Sequence, residues 1–450
     1  MKKIIGIFIV TLLIGTTSLP LVSSTMINNN QILNKTFVDD CGCDSNRRYG
    51  MELSKKSSNN DPPAPWITGV PDYFSWKDFG GQDWTTPAKD QNYPNWCGSC
   101  WAFAALGSLE SVINIREGSA VIDPDLSEQY PLSCLPSAHV NPGHGCLGGC
   151  NYLALKYMME TTPEGNYHNG ALFEECFPYQ ADDQVPCDSK CADWVDKLVP
   201  IEDTFEWYLG FSSENISFIK SLIMEKGSLS CGMFTTAGFE SWMSSHHDSD
   251  DYYPYYEKHG FNHCLVVVGW KDDSSIEKGG YWICKNSFGQ DIGYDGFFNI
   301  EYGSHNICGA VCFVDYDPES YEWPNEPNPP DAPDINGPTS GHIEQAVDYV
   351  FKAIDPNDKD VKFFISWGDG TTEWTSFTAS DTPITVGHTW AKQGTYSIMA
   401  LAMNTDNSIS SWNNQDVTMP KSKVINRPIL NFLERHPYLF PILRQLLLKL

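Results

Sequence analysis

The segment Asp90–Ala105 changes character halfway, and that change constrains the rest of the chain. Up to Trp96 it has loop chemistry, with Asn92, Pro94 and Asn95 in a polar run. From Cys100 it becomes Ala- and Leu-rich, and apolar residues fall at Trp101, Ala104, Ala105, Leu109, Val112 and Ile113, a helical period. Gly98 and Ser99 stand at the junction, so Cys100 is expected in the first turn of a buried helix over Cys100–Ile115. There the macrodipole favours an anion, and a thiol becomes a better thiolate. Two structural cysteines are the commoner reading of such a pair. The string C-G-S-C-W, Cys97 to Trp101, is specific enough to set that reading aside.

A chain of 450 residues is too long for one ordinary domain and implies two, with tails. A net charge of −28 argues against nucleic acid as a partner, because phosphate binding needs clustered Lys and Arg. Residues 1–24 read as a secretory signal: Lys2 and Lys3, an apolar run from Ile4 to Leu13, then a small-residue exit at Val22–Ser24. That run is shorter than the ~20 residues a membrane span needs. The expected location is therefore secreted or cell-surface. Export makes the 15 cysteines intelligible as disulfides, and their odd number fits one free thiol.

Residues 25–69 are polar, lack a sustained period and close on a Pro-rich stretch, as a short pro-segment would. From 70 to 320, helical patterns come first (Cys100–Ile115, Ser127–Cys134, Cys150–Glu160). Strand-like runs follow at Cys264–Trp270, Gly280–Lys285 and Gly296–Ile300. Helices followed by strands imply an α+β domain. Residues 321–333 form a Pro-rich, semi-rigid linker. Residues 334–420 carry short strands with turn signals at the spacing of a β-sandwich. Residues 421–450 are apolar and basic, broken by Pro428, Pro437 and Pro441. This tail is too broken to span a bilayer; a membrane-surface or sorting segment and packing on the sandwich both remain open.

Several strings together resemble the papain family of cysteine peptidases. They are C-G-S-C-W at Cys97, N-H-C-L-V-V-V-G-W at Asn262, W-I-C-K-N-S-F-G at Trp282, and the opening P-D-Y-F-S-W-K at Pro71. The order Gln, Cys, His, Asn and the roughly 160-residue gap from Cys to His fit the same family. The resemblance implies a two-lobe fold, with a helical left lobe and a β-barrel-like right lobe. It makes Cys100 the nucleophile, His263 the base and later acid, Asn286 the group that orients the imidazole, and Gln91 an oxyanion donor beside the Cys100 amide. Asn262 falls on the substrate-binding side of the histidine string. A thiolate–imidazolium pair near neutrality follows, with the thiol pKa depressed to roughly 3.5–7.5. No metal or cofactor is required. The family's tryptophan after Asn-Ser is Phe288 here, which can shield the Asn–His hydrogen bond but cannot donate an N–H.

The string G-C-L-G-G places Gly148 and Gly149 where substrate backbone would lie against the cleft wall; a tight turn is the plainer alternative. The same resemblance pairs Cys97 with Cys146, and Cys134 with either Cys176 or Cys187. A zinc set of His139, His144, Cys146 and Cys150 exists only on paper. In residues 334–420, W-G-D-G-T and H-T-W…G-T-Y-S-I resemble PKD repeats, immunoglobulin-like modules whose family role is adhesion or spacing. They imply an extracellular or cell-surface partner, besides the peptide or protein substrates of the first domain.

Five residues, Asn92 to Trp96, separate Gln91 from Cys97, where most papain-like enzymes have three. Loop length, the proline and the aromatic before the cysteine resemble the cathepsin X (cathepsin Z) branch, whose loop histidine captures a substrate's C-terminal carboxylate. Asn92 stands where that histidine is expected and brings no charge. His246 and His247 are an alternative source of one, or members of a solvated acidic loop. In the same branch a pro-segment cysteine bonds the nucleophile, which makes Cys41 or Cys43 a lock for Cys100; a local C-x-C pair is the rival.

Overall fold

The computed structural model describes residues 69–135, 145–159, 170–324, 328–420 and 435. The signal, the pro-segment with Cys41 and Cys43, and the C-terminal tail lie outside these residues, Arg435 apart.

Helix α1 (Cys100–Arg116) is buried on every side from Cys100 to Asn114, its polar Ser108, Glu110, Ser111 and Asn114 included. It separates two lobes. One is helical and contains α2 (Gln129–Cys134), α3 (Asn151–Met159) and the short strands β2 (Ala171–Leu172) and β3 (Leu198–Val199). The other is a sheet. Its strands are β1 (Tyr73–Ser75), β4 (Asp203–Tyr208), β5 (Leu229–Met233), β6 (Tyr252–Tyr253), β7 (His263–Asp272), β8 (Gly280–Lys285), β9 (Phe297–Glu301) and β10 (Ala310–Asp315). Their order is β4-β10-β5-β7-β8-β9-β6, with β1 added against β7. At that edge Gly269 is obligatory, because a Cβ there would lie 2.3 Å from the Phe74 carbonyl oxygen.

The expected α+β class and two lobes are present. Strict succession of helices and strands is not, because α4 (Ser213–Lys226) and α5 (Ala237–Met243) fall between strands. Both carry hydroxyl N-caps: Ser212 accepts from the Asn215 amide and Thr236 from the Phe239 amide.

Disulfides join Cys97 to Cys146, Cys134 to Cys187 and Cys176 to Cys191, so Cys187 is the partner of Cys134. Cys150 is also disulfide-bonded. The zinc set therefore fails: two of its sulfurs are in disulfides, and His139 and His144 lie outside the described residues. The expectation of a single thiol also fails. Cys100, Cys231, Cys264, Cys284, Cys308 and Cys312 are outside disulfides, all buried. Five of them serve as small apolar residues of the core, which parity cannot reveal.

Under the junction of the lobes lies a buried charge cluster. Lys89 Nζ is 2.8 Å from Glu110, 2.8 Å from Asp125 and 3.1 Å from Glu128. Lys285, the residue before Asn286, donates to Thr86 at 2.7 Å and lies 3.9 Å from Glu110. Burial pushes the Glu128 carboxyl up to about 8, against the Lys89 charge that pulls it down. Its Oε2 has no hydrogen-bond partner, which further disfavours the anion.

Residues 334–420 form the expected sandwich. One sheet is β11 (Asp334–Asn336), β12 (Val347–Lys352) and β15 (Ile384–His388) in that order. The other runs β14 (Thr372–Trp374), β13 (Val361–Ser366), β16 (Gly394–Asn404), β17 (Asn413–Met419). Phe363, Ile365, Ile398 and Ala400 face the sandwich core, while the alternating Phe364, Met399, Leu401 and Met403 join the core of the sheet lobe instead. Phe79 packs on Phe364 and Trp374 with ring centroids 5.1 and 5.4 Å away. Backbone hydrogen bonds cross the same contact, from Ile409 to Gly118 and from Gly370 to Gly69, both 2.9 Å. Gly118 has φ +66°, and a Cβ there would lie 2.1 Å from the Ile409 oxygen. The expected linker is anchored too: Trp323 Nε1 donates to Glu117 and to the Tyr316 hydroxyl.

Two outcomes follow. Phe364→Ala with Trp374→Ala should split one thermal transition into two, with the first domain melting earlier; calorimetry checks this, at ~3 kcal/mol or more for each lost aromatic. A carboxyl with a raised folded pKa binds its proton more tightly when folded, so its contribution falls as pH rises from about 4.5 to 8. Glu128→Gln should therefore gain stability relative to wild type between pH 5 and pH 8, by more than ~1 kcal/mol, in denaturant titrations at the two pH values.

Candidate active site

Cys100 opens α1, whose N-cap Ser99 makes no side-chain capping bond, so no side-chain oxygen covers that end of the helix dipole. His263 begins β7 and Asn286 follows β8, adjacent antiparallel strands that hold the two side chains rigidly. His263 Nε2 lies 2.7 Å from Asn286 Oδ1. With Nε2 donating there, the other ring nitrogen faces Cys100, to which the imidazole is hydrogen-bonded. Asn286 Oδ1 also accepts the Ser287 amide at 2.9 Å, and its Nδ2 contacts Met243 Sδ at 3.4 Å. Phe288 packs on the His263 ring at 5.0 Å between centroids, so the shielding aromatic is in place without an indole N–H.

Burial of His263 lowers its pKa, but the Cys100 charge, the hydrogen bonds to Cys100 and Asn286, and the Glu240 carboxylate outweigh this and leave it raised. A buried imidazole held cationic beside a thiol is the arrangement that produces a nucleophilic thiolate.

Gln91 is buried, and both ends of its amide are fixed. Oε1 accepts from Ser287 Oγ at 2.7 Å, and Nε2 donates to the Cys97 carbonyl at 2.8 Å. An amide nitrogen has two hydrogens, so a second donor remains for an oxyanion. Tyr179 joins loop to helix: its hydroxyl donates to the Gln91 carbonyl at 2.8 Å and accepts from Ser99 Oγ at 2.6 Å. Ser287 is legible inside the N-S string; the contacts of Tyr179 and Met243 are set by tertiary packing alone.

The remaining expectations divide. Gly148 has φ +132° and exchanges backbone hydrogen bonds with Gly145, so the tight turn is real. Gly149 is glycine because a Cβ would lie 2.4 Å from the Trp101 ring. Asn262 is occupied elsewhere: its Oδ1 accepts the Thr235 amide at 2.6 Å and its Nδ2 donates to the Thr235 carbonyl at 3.0 Å. These two bonds tie the segment after β5 to the start of β7. Asn92 is exposed, with its backbone amide on Asp90 Oδ1, and Tyr93 and Trp96 are 74% and 68% exposed. His246 stacks on Trp242, and His247 Nδ1 lies 2.6 Å from the Gly293 carbonyl oxygen. Cys100 is in no disulfide, and its suggested partners Cys41 and Cys43 lie outside the described residues.

Comparison with known proteins accords with this geometry. The chain is 27% identical to cathepsin J of Mus musculus over 290 residues, 60% of this chain and 75% of that protein. It is 28% identical to procathepsin L of Rattus norvegicus, covering 56% and 66%, and 29% identical to pro-cathepsin H of Bos taurus, covering 54% and 63%. It thus spans about two thirds of the length of these curated relatives. Among solved structures, SERA5E from Plasmodium falciparum aligns at 18% identity and TM-score 0.41, covering 54% of this chain and 96% of that one. The PKD domain of an M14-like peptidase from a Thermoplasmatales archaeon aligns at 44% identity and TM-score 0.20, covering 21% and 97%. The family model described as "Papain family cysteine protease" matches residues 70–316, more than half of the chain, and the chain belongs to that family.

Proposed function

We propose that this protein is an exported thiol peptidase that cleaves peptide bonds within polypeptides, through an acyl-enzyme on Cys100. The observation that carries the reading is the rigid Cys100–His263–Asn286 relay with Gln91 fixed beside it. The Cys100 thiolate attacks the scissile carbonyl carbon, and the carbonyl π electrons move to oxygen. The oxyanion is held by the second hydrogen of Gln91 Nε2 and the Cys100 amide. Collapse of the tetrahedral intermediate breaks the C–N bond as His263 delivers its proton to the leaving amine. Neutral His263 then takes a proton from water, whose hydroxide adds to the thioester; collapse expels the thiolate and releases the acid.

A carboxypeptidase of the cathepsin X kind is the second reading, favoured by the five-residue loop with its exposed Tyr93 and Trp96. Internal cleavage is preferred because the loop offers no cation for a terminal carboxylate. Asn92 is neutral, and Asp90 lies beside it. The sandwich supports a second role in attachment. Its β14–β17 sheet is occupied by the first domain, so a surface partner would meet the β11–β12–β15 sheet.

Covalent labelling by a peptidyl epoxide, with mass mapping, is expected at Cys100 and absent in Cys100→Ala, which should lose at least ~10³-fold in kcat/KM. A peptide with an amidated C-terminus should be cut internally; cleavage confined to the free-acid form would establish the carboxypeptidase reading instead. Asn286 raises the His263 pKa, so Asn286→Ala should move the alkaline limb of kcat/KM to lower pH and lower the plateau by up to ~10²-fold, read from pH–rate profiles.

A further inference from the structure

The leaving-group side of the cleft is defined by the chemistry: His263 protonates the departing amine, so groups beyond its ring, away from the Gly148–Gly149 wall, face the residues after the scissile bond. Helix α5 stands there. Its rotation is fixed at two points. Phe239 is buried against Phe298 and Tyr253, with centroids 5.0 and 5.1 Å away. Met243 touches the Asn286 amide and accepts the Gly293 amide on its carbonyl. Glu240 lies three residues before Met243, hence on the same face of the helix one turn earlier, and its side chain is exposed. Its carboxylate is close enough to His263 to stabilise the imidazolium. Among the described residues no lysine or arginine is ion-paired with it. The histidines nearest along the chain are engaged elsewhere: His246 is stacked on Trp242, and His247 Nδ1 lies 2.6 Å from the Gly293 carbonyl oxygen.

We propose that Glu240 is a specificity-determining residue that selects substrates with a basic side chain one or two positions after the scissile bond and disfavours a carboxylate there. Resting on the peptidase reading above, this accounts for why a cleft with a long primed-side loop has no cation at Asn92: the rim is built for positive charge. A lysine or arginine in the leaving segment meets an exposed carboxylate at the edge of a low-dielectric cleft, whereas an acidic residue or a free C-terminus meets repulsion.

The test uses the full-length protein after activation and three amidated peptides identical except for Lys, Gln or Glu after the scissile bond. Wild type is expected to prefer Lys to Glu by ~10-fold in kcat/KM at low ionic strength, shrinking with salt. Glu240→Gln should flatten the series, and Glu240→Lys should invert it. Equal rates across the series in wild type, or an unchanged Lys-to-Glu ratio in Glu240→Lys, would overturn the proposal. Hydrolysis of the Gln peptide with epoxide labelling of Cys100 keeps the two readings apart: activity without charge discrimination defeats the Glu240 assignment alone, and no hydrolysis of any peptide defeats both.

Discussion

Everything in the first domain depends on covering a helix with no exposed side. Because α1 is buried around its whole circumference, neither lobe alone can shelter it, and the two must meet along its length. That single requirement creates the cleft. The helix begins where the lobes part, so its first residue is the one point of α1 that substrate can reach. The charge cluster of Lys89, Glu110, Glu128 and Lys285 occupies the same seam and ties strand β8 to the helix from below. Nucleophile and relay are thus fixed by the element that makes the core.

Much of this was legible in the sequence because it rests on local strings. The three helices of the first part, β7, β8 and β9, the four central site residues and the Cys97–Cys146 pair each follow from a short motif or its period. What escaped lacks a local signature. Helix α4 is the exception, with a serine cap, apolar residues at helical spacing (Phe218, Ile219, Leu222, Ile223) and Gly227 as its stop, so its signal was open to reading among the strands around it. The hydrogen bonds of the Asn262 side chain reach Thr235, in the loop after β5 and far away along the chain, and are invisible in sequence. The five buried thiols besides the nucleophile escaped because composition counts sulfurs without locating them.

The sandwich carried a signal that was open to reading. Strand β16 runs I-M-A-L-A-M without alternation, and a strand apolar on consecutive residues is covered on both faces. A free-standing module with one solvated sheet would alternate. The continuous run was the mark of a second packing partner, supplied by Phe79 and its neighbours.

That docking changes what the sandwich can do for the enzyme. A module swinging on a Pro-rich tether would let the cleft sample every direction around an anchor point, and its substrates would need only to be near. A module welded through aromatic packing and two backbone hydrogen bonds fixes the direction of the cleft relative to whatever the β11–β12–β15 sheet holds. Effective concentration then becomes a matter of orientation: high for bonds that the anchored cleft happens to face, and near zero for those it does not.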